Sequence, residues 1–392
     1  MGQDDSASGE QARRHGGANV VALALGIPVL ISMLALAIVP GILGMAREFG
    51  ALTAQLVLTL PAVIMIFGAG LAGYLSERWG RRAVIVACLL VYALAGLGGG
   101  VAPNLALLVL ARTVSGFVGG ILLTSVYAVI GEYFEGTRRE SILGLMSTAG
   151  SIASLAVLLL MGLVVERFGW RAPFLIYAIS LLLVPCALAG LHRGLSAPGA
   201  SLSWRPVRAQ WPFYLLLTAY TIGMYMMVIQ GPFLLAAKGI DAPSTIGRYI
   251  GLSSLIGGVC SAFYGMARKW LGFRQMFVLI SLAIGIALPL AAWAPGGGWI
   301  ALSMVVVGMG IGIIEPTVAS ELLKRTPEPL HDRAMGVNVA AMFLGQFLNP
   351  LVIAPLHDTF GIAHAFSMVG FAYLAGGVLF LLAPSLVLSH RT

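Results

Sequence analysis

Long apolar runs separated by short polar turns fill most of the chain. Apolar stretches of about 20 residues or more recur along it, and each is long enough to cross roughly 30 Å of hydrocarbon as an α-helix. The pattern predicts twelve spans, at residues 20–44, 52–76, 82–102, 104–131, 141–165, 171–192, 211–236, 245–268, 273–294, 298–324, 334–356 and 361–388. The alternating segments of about ten residues that mark a membrane β-barrel are not seen. We therefore predict an all-α membrane protein.

Composition indicates that a lipid bilayer is the main solvent of this chain. Of its 392 residues, 59% are hydrophobic and 10% are charged, whereas a soluble domain has about 25% charged residues. The three cysteines, Cys88, Cys186 and Cys260, lie inside apolar runs, where buried free thiols are the simplest interpretation. Their spacing fits neither a disulfide framework nor a metal site, so we expect no metal and no cofactor.

The distribution of Lys and Arg predicts the orientation of the chain in the membrane. With twelve spans, seventeen of the 23 basic residues fall on the side of both termini, five fall on the other side, and Arg112 lies within span 4. Because cytoplasmic loops carry the excess of basic residues, both termini are predicted to be cytoplasmic, in a bacterial-type inner membrane. The net charge of +8 is then explained by topology, with no nucleic acid partner.

One long polar connector indicates the domain organisation. Residues 1–18 are small and polar and are predicted to form a disordered cytoplasmic tail, and the apolar run after them is too long for the core of a signal peptide. A polar stretch with Pro, Gly and Ser joins spans 6 and 7. We predict a first six-helix bundle at 19–192, a cytoplasmic linker at 193–210 and a second six-helix bundle at 211–392.

The two halves of the chain match each other at an offset of 192 residues. The segment ERFGWRAPF at 166–174 aligns with DTFGIAHAF at 358–366, and the same offset pairs glycines of span 4 with glycines of span 10. A single offset that works in separate regions indicates a duplicated six-span unit. Parallel repeats of this kind place a substrate site near the middle of the membrane, which favours a transporter over a channel or a membrane enzyme.

A charged turn between spans 2 and 3 reads GYLSERWGRR, at residues 73–82. It resembles the signature of this loop in the major facilitator superfamily, G-x-L-a-D-r-x-G-R-R, with Glu instead of the usual Asp. The candidate gating residues in this loop are Gly73, Glu77, Arg78, Gly80, Arg81 and Arg82. The resemblance extends to the twelve spans, the central linker and the repeat, and it implies transport by alternating access between two six-helix bundles.

Two roles are open for this loop. Gly73 is expected to let span 2 approach a neighbour closely, and Gly80 to permit a turn that a Cβ would resist. Glu77 would lie near the start of span 11, where a helix N-terminus favours an anion, and would latch the two halves in an outward-open state. Alternatively, the charges of the loop only fix the topology.

Two charged residues inside spans are functional candidates, because ionisable groups are costly there. Arg112 lies in a segment of span 4 that resembles the family's R-x-x-x-G motif, which is linked to proton handling in proton-coupled members, and Gly116 and Gly120 would let this span pack closely. Arg112 would hold a carboxylate, lower the pKa of a neighbouring group or bind an anionic substrate. Glu315 in span 10 is either a proton carrier, cycling between neutral and charged forms, or a structural or gating partner. Pro316, directly after it, favours a kink at a moving gate.

Side chains of spans 1, 7 and 11 are candidates for lining a substrate cavity. They combine soft apolar surface with a few hydrogen-bonding groups: Met33, Tyr220, Met224, Tyr225, Gln230, Asn338, Phe343 and Gln346. Methionine adapts to irregular partners, although any one of these residues is more often a packing residue. With one internal Arg and one internal Glu, the cavity is expected to be largely neutral, which suits a hydrophobic or amphipathic solute better than a sugar or a dicarboxylate.

The sequence thus predicts a secondary active transporter without enzymatic activity, which exports hydrophobic or amphipathic small molecules by proton-coupled alternating access. No phosphate-binding loop is present, so the energy would come from an ion or solute gradient. Span 1 lacks an acid and span 5 lacks the proline of the family's antiporter motif, which leaves the direction of transport open. The alternatives are uptake or exchange of a small organic anion, with Arg112 as its anchor, and a membrane sensor of the same fold. The expected partners are a small-molecule substrate, protons and the lipid bilayer, and the expected state is a monomer.

Overall fold

A computed structural model describes residues 4–134, 136–191, 204–327 and 330–382 of the chain. Every regular element in these ranges is helical. Eleven stretches there are long and apolar enough to cross a membrane, and one pair of helices bent by 56° brings the number to twelve. The predicted all-α class and the predicted number of spans are confirmed.

The twelve spans occur in the predicted order. Span 1 comprises Asp4–Leu36, Val39–Gly41 and Ile42–Phe49. Spans 2, 3, 4 and 5 are Ala51–Trp79, Arg81–Gly100, Leu105–Tyr133 and Gly136–Phe168, and span 6 comprises Ala172–Leu182 and Leu183–Gly190. Span 7 comprises Trp211–Met224, Met226–Ile229 and Gly231–Ala237, and span 8 comprises Pro243–Ala262 and Tyr264–Trp270. Spans 9, 10, 11 and 12 are Phe273–Trp293, Gly297–Arg325, His331–Phe360 and Ile362–Leu382. Most of the predicted linker lies outside the described residues, apart from a short helix at Arg205–Ala209. The first helix begins at Asp4, within the segment predicted as a tail, and the domain boundaries stay a prediction.

Packing divides the chain into two units. The first comprises the described parts of Met1–Ile38, Leu60–Val157 and Arg171–Ala200, and the second those of Val39–Thr59, Leu158–Trp170 and Ser201–Thr392. The second unit therefore combines the second half of the sequence with the ends of spans 1, 2 and 5. These ends belong to the side of the spans that carries Arg47 and Lys238, which we call the Arg47 side.

Glycines at equivalent positions make equivalent helix contacts in the two units. In the first unit, Gly116 of span 4 lies against the backbone of Pro61 in span 2, and Gly120 lies against that of Met65. The same two contacts recur 192 residues later between spans 10 and 8, in the pairs Gly308 with Ser253 and Gly312 with Gly257. Small residues let helix backbones approach closely in a bilayer. The internal repeat predicted from the sequence is thus present in the packing.

Backbone turns at glycine support the repeat and correct one prediction. Gly169 and Gly361, which are 192 residues apart, each have a φ of 81°, and so does Gly80 in the charged loop. Such φ values favour glycine, so the predicted turn at Gly80 is confirmed. The predicted close approach at Gly73 is wrong in this structure, because its side of span 2 is exposed and no atom of another element lies within 4 Å of where a Cβ would be.

Gly120→Ala is expected to destabilise the protein by about 1–3 kcal/mol, the usual cost of overpacking. The new methyl group would meet the backbone carbonyl of Met65, which cannot move aside as a flexible side chain does. Thermal unfolding in detergent checks this. Gly144→Ala is the matched control, because no atom of another element lies within 4 Å of where the new Cβ would be. Ala also favours the helix more than Gly does. A Tm of Gly120→Ala equal to that of Gly144→Ala would contradict the prediction.

Candidate functional site

Span 7 is broken at two positions that the sequence marks as cavity candidates. Its first helix ends at Met224, its second runs from Met226 to Ile229 and its third from Gly231 to Ala237, so that Tyr225 and Gln230 lie at the two breaks. Pro232 explains the second break, since it has no N–H to continue the helical hydrogen bonds. Tyr225 is half-buried, and Gln230 is buried. The backbone stays helical at both positions, since Tyr225 and Gln230 have helical φ and ψ values and their carbonyls accept from the Ile229 and Leu234 N–H groups.

Glu315 lies on span 10, next to the first break in span 7. It is ten residues before Arg325 at the end of the span (325 − 315 = 10), or about 15 Å along the helix axis. Its side chain is exposed, and Tyr225 of span 7 lies within range of its charge. Span 10 continues through Pro316 without a break, so a gating role for this proline stays a prediction.

Arg112 is held inside the first unit and is only 1% exposed. Its Nη1 donates a hydrogen bond to the Tyr177 hydroxyl at 2.6 Å, and its Nη2 donates to the Leu34 carbonyl at 2.9 Å. Leu34 lies in the last turn of the first helix of span 1, where carbonyl groups lose their helical partners. Arg112 therefore caps the break in span 1 and joins spans 1, 4 and 6.

The remaining cavity candidates are more buried than a lining role requires. Tyr220 shares a 2.6 Å hydrogen bond with the Ser281 hydroxyl and packs edge-on against the rings of Phe277 and Tyr373, in the core of spans 7, 9 and 12. Met33, Asn338, Phe343 and Gln346 are also buried, and Met224 is half-buried. Their role in lining a cavity stays a prediction.

The charged loop is tied to span 4 within the first unit. Arg81 forms an ion pair with Glu132 near the end of that span, while Arg78 donates to the Tyr74 hydroxyl at 3.1 Å. Glu77 and Arg78 are exposed and Arg82 is half-buried. The loop thus has one fixed arginine and a set of charges at the surface, where a partner can reach them.

A cluster of buried amides in the second unit includes one residue that sequence reasoning missed. Gln55 Nε2 donates to Gln230 Oε1 and Gln230 Nε2 donates to Gln55 Oε1, both at 3.0 Å. Gln230 Nε2 also donates to Asn349 Oδ1 at 3.3 Å, and Asn349 Nδ2 donates to the Ile222 carbonyl at 2.7 Å. The missed residue is Gln55, whose signal in the sequence is a single amide inside the apolar run of span 2.

Comparison with known proteins decides the family. The model of the Major Facilitator Superfamily matches residues 25–350. The chain belongs to the major facilitator superfamily. The resemblance drawn from the loop, the spans and the repeat is thereby confirmed, and the chain is a multi-pass membrane transporter by family.

Two curated members of the superfamily are similar to this chain over most of its length. The class C tetracycline resistance protein of Escherichia coli is 26% identical over 369 residues, which cover 89% of this chain and 90% of that protein. The multi-drug resistance efflux pump PmrA of Streptococcus pneumoniae is 24% identical over 336 residues, which cover 81% of this chain and 83% of that protein.

A solved structure of the superfamily has the same fold. The D-xylose-proton symporter superposes with a TM-score of 0.75 over 93% of this chain and 97% of its own, at 15% sequence identity. At this identity the similarity extends to the fold alone.

Proposed function

We propose that this superfamily member is a proton-coupled exporter of hydrophobic or amphipathic small molecules that works by alternating access. The similarity to a tetracycline resistance protein and to a multi-drug efflux pump supports export. The observation that carries the proposal is the placement of Glu315 well inside span 10, within range of Tyr225 in span 7. In the described ranges no other carboxyl group lies so far from the ends of a span, and a carboxyl group can take up and release a proton where an arginine cannot.

The orientation forms part of this proposal. We place the protein in the inner membrane as a monomer, with both termini in the cytoplasm and the Arg47 side facing outward. The excess of seventeen basic residues over five on the side of the termini supports this orientation. Substrate would then leave the protein at the Arg47 side.

The anion-exchange alternative receives less support from the surroundings of Arg112. Both terminal nitrogens of this side chain donate to groups of the protein, the Tyr177 hydroxyl and the Leu34 carbonyl. An anionic substrate would have to displace these buried hydrogen bonds. The placement of Glu315 requires no such rearrangement, which favours the proton-coupled exporter.

Flux into proteoliposomes tests the proposed function. Tetracycline or the amphipathic dye ethidium is added outside vesicles whose lumen is more acidic than the medium. An exporter that exchanges substrate for protons should accumulate the probe in the lumen, and a protonophore should abolish the accumulation. Equal flux with and without the proton gradient would contradict proton coupling, and stabilisation by the probe without any flux would support the sensor alternative.

Glu77→Lys is expected to reduce transport sharply while leaving insertion and expression unchanged, if Glu77 latches the two halves in the outward-open state. The change reverses the charge at an exposed position of the loop, so a folding defect is not expected. Transport per inserted molecule in proteoliposomes checks this. Arg78→Gln, a change at the next exposed position, serves as the comparison for a general loss of loop charge. An unchanged transport rate in Glu77→Lys would leave the charges of the loop with a topological role only.

A further inference from the structure

Three buried amides connect distant parts of the sequence on the Arg47 side of the second unit. Gln55 comes from span 2, Gln230 from the second break of span 7 and Asn349 from span 11, and their exposed fractions are 2%, 1% and 0%. Gln55 and Gln230 each donate to and accept from the other. Buried polar groups are costly to leave without partners, so these amides hold one another in place.

The amide cluster is a buried polar link between spans 2, 7 and 11. The nearby ion pair between Arg47 and Asp241 has an N–O distance of 3.8 Å, and its side chains are 76% and 64% exposed. An exposed pair of this kind contributes little to stability. The amides are uncharged and buried, and their hydrogen bonds must break if span 2 leaves spans 7 and 11.

The internal repeat has a different kind of contact at the position equivalent to the amide cluster. The position equivalent to Gln55 is Gly247 in span 8 (55 + 192 = 247). At that position spans 5 and 8 meet through close backbone contacts. Gly247 of span 8 lies against the Leu158 carbonyl of span 5, and Gly162 of span 5 lies against the backbone of Pro243 in span 8. The contact between spans 5 and 8 is therefore made by small residues, whereas the contact between spans 2 and 7 is made by a hydrogen-bonded amide pair.

We propose that Gln55, Gln230 and Asn349 form an amide latch that keeps the Arg47 side of the second unit closed, and that this latch opens when substrate leaves on that side. The part concerning substrate rests on the proposed function, whereas the closing role does not. Gln230 directly precedes the short helix Gly231–Ala237, so this helix is placed to move when the latch opens. On opening, water replaces the amide partners, and no residue has to change its charge.

Spin-label distances between positions 47 and 241 test the latch directly. Both side chains are exposed on this side, and cysteines placed there in a background without the native Cys88, Cys186 and Cys260 report the separation of the two segments. Gln55→Leu leaves the buried Oε1 of Gln230 without its donor, and Gln230→Leu leaves the buried amide of Gln55 without its partner. Each is therefore expected to raise the open-to-closed population ratio about tenfold. The double variant replaces both amides by apolar groups and should return the ratio towards that of the wild type.

The matched control is Thr59→Val in the same span, because the Thr59 hydroxyl bonds only within its own helix, to the Gln55 and Leu56 carbonyls. Its distance distribution should equal that of the wild type. A single closed population in the wild type and in both single variants would overturn the latch. So would a double variant whose open-to-closed ratio rises by the combined effect of the two single variants. The distances are measured without substrate or proton gradient. The result therefore tests the latch even if the proposed function is wrong. Circular dichroism and gel filtration of each variant separate an open protein from an unfolded one.

Discussion

Glu315→Gln is expected to reduce proton-driven accumulation of substrate to the level of liposomes without protein. The amide has nearly the shape of the acid but cannot take up or release a proton. The side chain is exposed and glutamine is almost the same size, so the substitution creates no overpacking and the protein should fold. Accumulation of ethidium or tetracycline in vesicles with an acidic lumen measures the effect.

Counterflow in the same vesicles separates proton coupling from gating. This exchange of labelled for unlabelled substrate needs no net proton movement, so a carrier that lacks only its proton-binding group should keep it. Glu166→Gln provides the matched control, as it makes the same change at an exposed acid near the end of span 5. Wild-type accumulation in Glu315→Gln would contradict the assignment, and loss of counterflow as well as accumulation would favour the structural or gating role.

Arg112→Leu is expected to lower the free energy of unfolding by about 2 kcal/mol or more, because two buried groups lose their partner at a typical cost of 1–3 kcal/mol each. These groups are the Tyr177 hydroxyl and the Leu34 carbonyl. Tyr177→Phe removes only one of the two hydrogen bonds and should cost less. Unfolding monitored in detergent at increasing temperature ranks the wild type, Tyr177→Phe and Arg112→Leu in this order of decreasing stability.

The opposite result would change the role of Arg112. If Arg112→Leu is as stable as the wild type but has lost transport, the side chain acts on protons or substrate rather than on the junction of spans 1, 4 and 6. Arg112→Lys adds a further comparison, because the ammonium group lacks the forked geometry with which guanidinium reaches two acceptors.

The features that follow from local pattern were predictable from the sequence. Twelve apolar runs gave twelve spans, since a helix in lipid needs only length and apolar character. The 192-residue offset anticipated the paired contacts of Gly116 and Gly308, because a duplicated sequence keeps its small residues where helices meet. The turn at Gly80 was predictable because its φ of 81° suits glycine.

The features that depend on distant contacts were not predictable from the sequence. Gly73 looked like a packing residue, but whether a glycine faces a neighbour or open space depends on the tertiary arrangement. Gln55 stood out only weakly in an apolar run, and its partner Gln230 is 175 residues away. The burial of Tyr220 among the rings of spans 9 and 12 likewise depends on helices that are far along the chain.

Simultaneous recording of substrate and proton movement tests the central claim most directly. Proteoliposomes that enclose a pH-sensitive dye at an acidic lumen receive tetracycline from outside, and both the lumenal pH and the lumenal tetracycline are followed. The account predicts that substrate entry raises the lumenal pH in the wild type and in Glu166→Gln, and leaves it unchanged in Glu315→Gln. Substrate entry in the wild type without proton release, or with proton uptake into the lumen, would contradict a proton-coupled exporter.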